Sequence, residues 1–150
     1  MRKTACALFL IQLVIGCDGS GGADYLILRP ILPAQGPGLT EATVQGQTVY
    51  YDPTTRIMDL RHFDPLTAKA EEHAGAYVVS IDTTPEGDRL LGTWTSANVN
   101  KQLGVFLDGR LISAPHIQTK ITSMIVIEDE LTKDRAEAIV ARLRRGGAAE

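Results

Sequence analysis

Two short apolar segments separated by an Asp-Gly pair constrain the fold of this chain most strongly. Residues 103–107 and 110–114 flank Asp108 and Gly109, and an Asp-Gly pair readily supplies the two positive φ angles of a type I′ turn. The pattern predicts a tight antiparallel hairpin with Asp108 and Gly109 as structural turn residues. An Asp in this position is typical of turn chemistry rather than of a catalytic acid.

The remaining sequence alternates between strand-like and helix-like patterns. Strands are predicted at residues 25–28, 43–51, 56–60, 77–81 and 124–127, and helices at residues 64–73 and 89–100 and after Thr132. Prolines and glycines exclude regular structure from residue 30 to about residue 39. Residues 83–87 are predicted as a turn and the acidic run 128–130 as a solvated loop. We therefore predict an α+β fold, a single small domain with a mostly antiparallel sheet and two or three helices packed on one face.

Two of the predicted helices have identifiable start signals. Asp64 can cap free amides while Pro65 occupies the first turn, and Gly75 suits the left-handed position beyond the end. The last helix begins after Thr132. It carries one apolar stripe at positions i, i+3, i+4 and i+7, formed by Ala136, Ile139, Val140 and Leu143.

The first seventeen residues have the form of an export signal. Two basic residues precede an apolar run at 5–15, which is too short to cross a hydrocarbon core of roughly 30 Å as a helix. The run ends in Val-Ile-Gly-Cys at 14–17, which resembles the bacterial lipobox. The resemblance implies cleavage between Gly16 and Cys17 and acylation of Cys17, for example with palmitate. The alternative is a plain signal peptide cut near Gly16 or Gly22.

Lipidation of Cys17 would attach the mature protein to a membrane outside the cytoplasm, because several acyl chains together give a stable anchor. Asp18 resembles the residue that retains enterobacterial lipoproteins, and it favours the periplasmic face of the inner membrane in the bacterial cell envelope. The predicted organisation is a signal peptide at 1–16, a Gly/Ser-rich flexible tether at 17–24, an N-terminal extension with strands and a Pro/Gly-rich loop at 25–56, and a domain at 57–147.

Charge and cysteine content exclude several classes of function. The net charge is −3, and removal of residues 1–16 takes away two basic residues and no acid, which leaves −5. An acidic domain of this kind disfavours nucleic acid as a partner. Cys6 lies in the predicted signal and Cys17 is the predicted lipid site, so no disulfide is expected.

The sequence shows no recognisable catalytic or metal site. His62, His73 and His116 are scattered without ligand spacing. Ser113 and Ser123 lack the nucleophile-elbow context. We therefore expect no enzyme activity, no cofactor and no metal.

Two segments resemble a known family. LGVFLDGRLISAPHIQTKI at 103–121 and ELTKDRAEAIVARLRRGG at 130–147 are similar to the head subdomain of the first large periplasmic domain of SecD, a membrane subunit that assists Sec-dependent export. The shared features are the Asp-Gly turn, the strand ending in Ser-Ala-Pro, and the helix that begins Thr-x-x-x-Ala and ends Leu-Arg-x-Gly. The resemblance covers residues 57–147, and it implies a SecD-head-like fold and a polypeptide-contacting surface.

The chain also departs from the family pattern. It has no Gly-rich segment before the last predicted strand, no base subdomain precedes the head, and the sequence ends at Glu150 where SecD continues into six transmembrane helices. We expect a stand-alone lipoprotein version of the head, without proton-driven export.

Two functions fit these features. The first is a non-catalytic, membrane-anchored module that binds exported polypeptide or Sec translocon components. The second is an envelope lipoprotein that binds a small ligand or a cell-wall component, and a small hydrolase is a distant third. The predicted partner-binding residues are Arg110, His116, Arg142, Arg144 and Arg145.

The basic end of the last helix has a second interpretation, in which its arginines only compensate the helix dipole and aid solubility. Both interpretations, partner binding and dipole compensation, assume that the arginines are exposed. Reversal of the charges of Arg142, Arg144 and Arg145 together is therefore expected to weaken partner or membrane association and to leave folding nearly intact.

Overall fold

A computed structural model of the protein describes residues 22–148. The predicted export signal, the cleavage site between Gly16 and Cys17, the lipidation site and most of the tether lie outside these residues.

The described chain is an α+β domain in which every pairing between strands is antiparallel. The strands are β1 (Leu26–Ile31), β2 (Thr40–Val44), β3 (Gln47–Tyr51), β4 (Met58–Asp59), β5 (Lys69–His73), β6 (Ala76–Asp82), β7 (Gln102–Leu107), β8 (Arg110–Ser113) and β9 (Met124–Leu131), and the helices are α1 (Pro85–Ala97) and α2 (Lys133–Arg144). Short 3₁₀ turns occupy Gly22–Tyr25, Leu60–His62 and Pro65–Thr67. The predicted fold class is confirmed.

The strands of residues 22–148 form three sheets. Their orders are β4-β1-β7-β8, β2-β3 and β5-β6-β9. Strand β7 is buried along its whole length, and β1 places Leu26 and Leu28 in the main core and Ile27 and Ile31 in a second, smaller one. Burial on both faces explains why these two strands are nearly continuous apolar runs.

The two ends of the described chain lie against each other. A Cβ atom added at Gly22 would overlap the carbonyl oxygen of Gly146, and one added at Gly147 would overlap the carbonyl oxygen of Gly22. Gly147 has a φ of 80°, a left-handed conformation that glycine adopts without strain. The start of β1 and the end of α2 therefore lie close together.

The single strand predicted at residues 43–51 is wrong, because the segment is a hairpin. β2 and β3 are joined by Gln45 and Gly46, whose φ values are 51° and 76°. Two consecutive left-handed residues are typical of a type I′ turn. A Gln-Gly pair is a weaker turn signal than Asp-Gly, and Val44 and Val49 on either side are both buried.

The helix predicted at residues 64–73 is also wrong. Asp64 does cap a turn, since its side chain accepts a hydrogen bond from Leu66 N at 3.0 Å, but the turn ends at Thr67. Lys69–His73 then forms β5 and pairs with β6. Gly75 is left-handed as predicted, with a φ of 85°, but it lies in the β5–β6 turn. Pairing along the whole strand outweighs the helix propensity of this segment.

Helix α1 begins at Pro85, within the stretch predicted as a turn. Thr84 is the N-cap, and its hydroxyl accepts a hydrogen bond from Gly87 N at 3.1 Å. Pro85 occupies the first helical position, where its missing N–H costs nothing. The helix ends at Ala97 rather than near residue 100.

Strand β9 includes the acidic run predicted as a loop. Its register against β6 shifts between Tyr77 and Val78, which pair with Leu131 and Glu128. Asp129 and Glu130 form the bulge. All three acidic side chains are exposed, as expected for a solvated segment.

Helix α2 has the start and the buried apolar stripe that the sequence predicts. Thr132 is the N-cap, and the stripe of Ala136, Ile139, Val140 and Leu143 is buried in the main core. Neither α1 nor α2 has the length and apolarity that a helix needs to cross a bilayer.

Candidate functional site

The β7–β8 turn positions the first functional side chains. Asp108 and Gly109 have φ values of 52° and 77°, which confirms the predicted type I′ geometry. The turn directs the chain back along β7, so that Arg110 at the start of β8 is exposed. The carboxylate of Asp108 lies beside α2.

Arg142 of α2 connects this turn to residues near both ends of the described chain. Its guanidinium donates to both carboxylate oxygens of Asp108, at 3.0 and 3.3 Å, and Nε donates to the carbonyl oxygen of Gly147 at 3.1 Å. The guanidinium also lies over the ring of Tyr25, 4.2 Å from its centroid. A planar guanidinium can make all these contacts at once, whereas an ammonium group cannot.

A cleft of about 340 Å³ separates the β7–β8 hairpin from α2. Its apolar floor is formed by three buried side chains, Leu107, Ile112 and Ile139. Its polar wall contains three arginines and one acid, which are Arg110, Arg135, Arg142 and Asp108. The cleft therefore combines an apolar surface with an excess of positive charge.

Two of the three cleft arginines are available to a ligand. The Asp108 carboxylate is bound to Arg142. Within residues 22–148, neither the Arg110 nor the Arg135 guanidinium has a hydrogen bond or an ion pair. Both lie in a domain with a negative overall charge, so the cleft is a local positive site that can attract an anion.

Tyr25 completes the wall of the cleft. It is only 8% exposed, and its hydroxyl makes no hydrogen bond within the described part of the chain. Burial raises the pKa of the Tyr25 phenol above its ordinary value, and the charge of Arg142 opposes this effect. The phenol therefore stays protonated at neutral pH and can act as a hydrogen-bond donor.

A second hollow of about 310 Å³ adjoins the cleft. It shares Tyr25, Asp108 and Arg142 with the cleft and is also lined by Gly22 and Gly147. The cleft thus lies next to the point where the described chain begins.

Comparison with known families decides the relationship of this domain. Residues 36–148 match the family model of the P1 head subdomain of SecDF. The chain belongs to this family. The SecDF P1 head match includes the β7–β8 hairpin and α2, and it begins in the loop after β1.

Curated relatives of this P1 head domain are protein translocase subunits. The chain is 38% identical over 81 residues to SecD of Dictyoglomus turgidum, which corresponds to 53% of this chain and 20% of the relative. It is 39% identical over 69 residues to SecDF of Thermus thermophilus, which corresponds to 45% of this chain and 9% of the relative. The chain thus spans a fifth or less of these relatives, which are parts of a protein-export system.

Solved structures show the same fold. A crystal structure of SecDF in a super-membrane-facing form matches with a TM-score of 0.59 and 22% identity, covering 82% of this chain and 19% of that one. A structure of SecDF, described as a membrane component that enhances protein export, matches with a TM-score of 0.59 and 21% identity. The match covers 82% of this chain and 62% of that one.

The structure separates the other predicted partner-binding residues of this P1 head from the cleft. His116 forms an isolated bridge with Gln102, at the end of the hairpin opposite Arg110. Arg144 donates to the carbonyl oxygen of Ala68 at 3.1 and 2.8 Å, and Arg145 donates to that of Ala148 at 3.4 Å. Only Arg110 and Arg142 of the five line the cleft.

These contacts contradict the expectation that reversal of the arginine charges leaves folding nearly intact. Arg142 and Arg144 connect α2 to other segments, so reversal of their charges would disrupt the fold as well as any binding surface. Binding by the five residues remains a prediction. Tyr25 was not identified from the sequence, because a tyrosine at the start of an apolar strand carries no functional signal.

A buried carboxylate at β4 is structural. Asp59 is 1% exposed and accepts hydrogen bonds from Arg61 Nε at 3.0 Å and Nη2 at 2.7 Å. It also caps the turn at Leu60–His62, since its side chain accepts from Arg61 N at 3.1 Å. Within residues 22–148, no group of three His, Cys, Asp or Glu side chains is placed to hold a metal ion.

Asp59→Asn tests this role. Hydrogen bonds from Arg61 hold the pKa of the Asp59 carboxyl below its ordinary value, and burial opposes them. The ionised form therefore stabilises the fold above the unfolded pKa of about 3.9, and this contribution is lost as pH falls through the folded pKa. We expect Asp59→Asn to lower the free energy of unfolding at pH 7 by about 1–2 kcal/mol.

Urea denaturation of both proteins from pH 7 to pH 3 measures the effect. The difference between variant and wild type should shrink below about pH 4. A difference that is independent of pH would contradict the assignment of a stabilising ionised carboxylate.

Proposed function

We propose that this protein is a lipid-anchored, extracytoplasmic module that binds polypeptide or a membrane-protein partner in protein export, without catalysis. The observation that carries the proposal is the match of residues 36–148 to the SecDF P1 head subdomain. The named relatives are translocase subunits, which connects a domain of this fold with translocation.

The cleft is the surface that best fits a binding role. It is open, partly apolar and positively charged, and it contains none of the residue arrangements that activate a nucleophile or hold a catalytic metal. Binding sites are typically concave and mostly apolar with a few convergent polar groups. The cleft is concave and combines an apolar floor with convergent polar groups.

A site-specific photo-crosslinker tests polypeptide binding in cells. Ala138 is exposed and lines the cleft, so a crosslinking residue there should capture exported polypeptides or translocon subunits. The matched control is the same residue at Gln35, which is exposed in the loop between β1 and β2.

Capture from position 138 and not from position 35 supports the proposal. If neither position yields a protein adduct, and a small envelope component instead raises the melting temperature, the alternative of a small-ligand lipoprotein replaces it.

Membrane attachment rests on Cys17, whose thiol is the proposed acceptor of the lipid. Cys17→Ser removes the acceptor, so we expect an unprocessed precursor that incorporates no labelled palmitate. Immunoblotting and palmitate labelling measure both properties. Normal trimming of the variant, together with an unlabelled wild type, would show that the signal peptide is of the plain kind.

A further inference from the structure

The cleft between the β7–β8 hairpin and α2 carries a further inference about the ligand. Two guanidinium groups, those of Arg110 and Arg135, reach the cleft without an intramolecular hydrogen bond or ion pair within residues 22–148. Most other basic side chains of the described chain have such a partner, as Arg56, Arg61 and Arg142 illustrate. Two unpaired guanidinium groups that line one cleft favour an anionic ligand.

The chemistry of a guanidinium indicates the kind of anion. Its planar set of N–H donors matches a carboxylate, which it can bind through two parallel hydrogen bonds. Arg142 already binds the carboxylate of Asp108 in this way at one side of the cleft. A second carboxylate at Arg110 and Arg135 would repeat an arrangement that the protein itself contains.

Tyr25 provides an independent observation. The residue is more than nine-tenths buried and lines the cleft, and its hydroxyl makes no hydrogen bond in the described residues. The hydroxyl oxygen is accessible, because the buried side-chain polar atom that lacks a partner in residues 22–148 is Ser80 Oγ. The phenol can therefore donate a hydrogen bond to a ligand oxygen in the cleft.

The floor of the cleft favours a ligand that carries an apolar group as well as an anionic one. Leu107, Ile112 and Ile139 are each at most 6% exposed and present an apolar surface to the cleft. The ligand should therefore carry an apolar group next to its carboxylate. A volume of about 340 Å³ is at the small end for ligand sites, so it suits a short segment of a larger molecule.

The position of β8 favours polypeptide over other apolar acids. This strand lies at the edge of the four-stranded sheet, where its hydrogen-bonded neighbour is β7. Arg110 and Ile112 of β8 both line the cleft. Strands β2 and β9 pack near β8 without pairing with it. An extended peptide can add to an unpaired strand edge through main-chain hydrogen bonds while its side chains enter an adjoining site.

We propose that the cleft binds an extended polypeptide segment in which an acidic side chain or a terminal carboxylate lies next to an apolar side chain. Arg110 and Arg135 bind the carboxylate, Tyr25 donates a hydrogen bond to it, and the apolar side chain packs on the floor. This assignment rests on the proposed polypeptide-binding function and adds the chemical class of the segment.

Two labelled peptides test the proposal by fluorescence anisotropy with the full chain in detergent. One is a fluorescein-labelled octapeptide of alternating Leu and Glu with an amidated carboxyl end, and the other has Gln in place of Glu. We expect the Glu peptide to bind at least about tenfold more tightly, which corresponds to one good charge-assisted hydrogen bond. The difference should decrease with added salt.

The double variant Arg110→Gln/Arg135→Gln should bind both peptides equally weakly. Its control is Arg89→Gln/Lys133→Gln, which removes the same charge from exposed positions outside the cleft. Tyr25→Phe removes only the hydroxyl and should weaken binding of the Glu peptide several-fold. The double variant should unfold at the same temperature as wild type, because neither guanidinium makes a hydrogen bond or an ion pair within residues 22–148.

Other outcomes would overturn the proposal in distinguishable ways. Equal binding of both peptides by wild type would leave polypeptide binding in place and reject carboxylate selection. Binding of sodium octanoate with the same dependence on the two arginines, and of neither peptide, would identify a small apolar acid as the occupant. Binding of none of the three probes would reject the cleft as a carboxylate site.

Discussion

Gly87→Ala is expected to lower the free energy of unfolding by about 3 kcal/mol or more, since an added methyl group would meet rigid backbone. Helix propensity alone predicts the opposite, because alanine is favoured over glycine in a helix by about 1 kcal/mol. A Cβ at this position of α1 would overlap the carbonyl oxygen of His62. That oxygen is fixed, since it accepts hydrogen bonds from Thr84 N at 2.9 Å and Thr84 Oγ1 at 3.2 Å.

Gly92→Ala is the matched control in the same helix. There the added Cβ would meet Lys120 Cε at 2.8 Å and Thr122 Cγ2 at 3.0 Å, and the lysine side chain can move. We expect a change within about 1 kcal/mol, in either direction. Urea denaturation measures both variants. Equal stability of the two would show that α1 is not held against the turn at Leu60–His62.

The second large effect is expected at Arg142. Arg142→Ala removes two hydrogen bonds to Asp108, one to the Gly147 carbonyl and the cation–π contact with Tyr25. We expect a loss of about 2–3 kcal/mol in the free energy of unfolding, because charged hydrogen bonds and a partly desolvated cation–π contact act together.

Arg135→Ala is the control for Arg142→Ala. Arg135 is exposed on the same helix, lines the same cleft and makes no side-chain hydrogen bond in the described structure. Its removal should change stability by less than about 0.5 kcal/mol. If the two variants had equal stabilities, the contacts of Arg142 would contribute no more to the free energy of unfolding than an ordinary surface charge does.

The features that the sequence predicted are those with a local cause. The type I′ turn depends on Asp108 and Gly109 themselves, and the buried face of α2 depends on a stripe that repeats with the helical period. Both are recognisable without knowledge of the remaining chain.

The features that the sequence did not predict depend on distant partners. Lys69–His73 has few apolar residues and becomes a strand through its pairing with β6. The turn at Gln45 and Gly46 lacks a strong dipeptide signal and is stabilised by the burial of the valines on its two strands. Tertiary contacts override local propensity at such positions.

The cleft was predictable only in part, for the same reason. Arg110 and Arg142 stood out as charged residues in two recognisable elements. Their approach to Tyr25 depends on the way β1, β7 and α2 pack together, and no spacing within the sequence encodes that arrangement.

The contact between Gly22 and Gly147 has a consequence for where the cleft operates. With Cys17 lipidated as proposed, five residues connect the bilayer surface to Gly22, and they span at most about 18 Å. The hollow beside Gly22 shares Tyr25, Asp108 and Arg142 with the cleft. With that anchor, a binding surface next to its own attachment point would stay within a short distance of the membrane in every orientation of the domain. In the proposed function, it would meet polypeptides as they leave the bilayer.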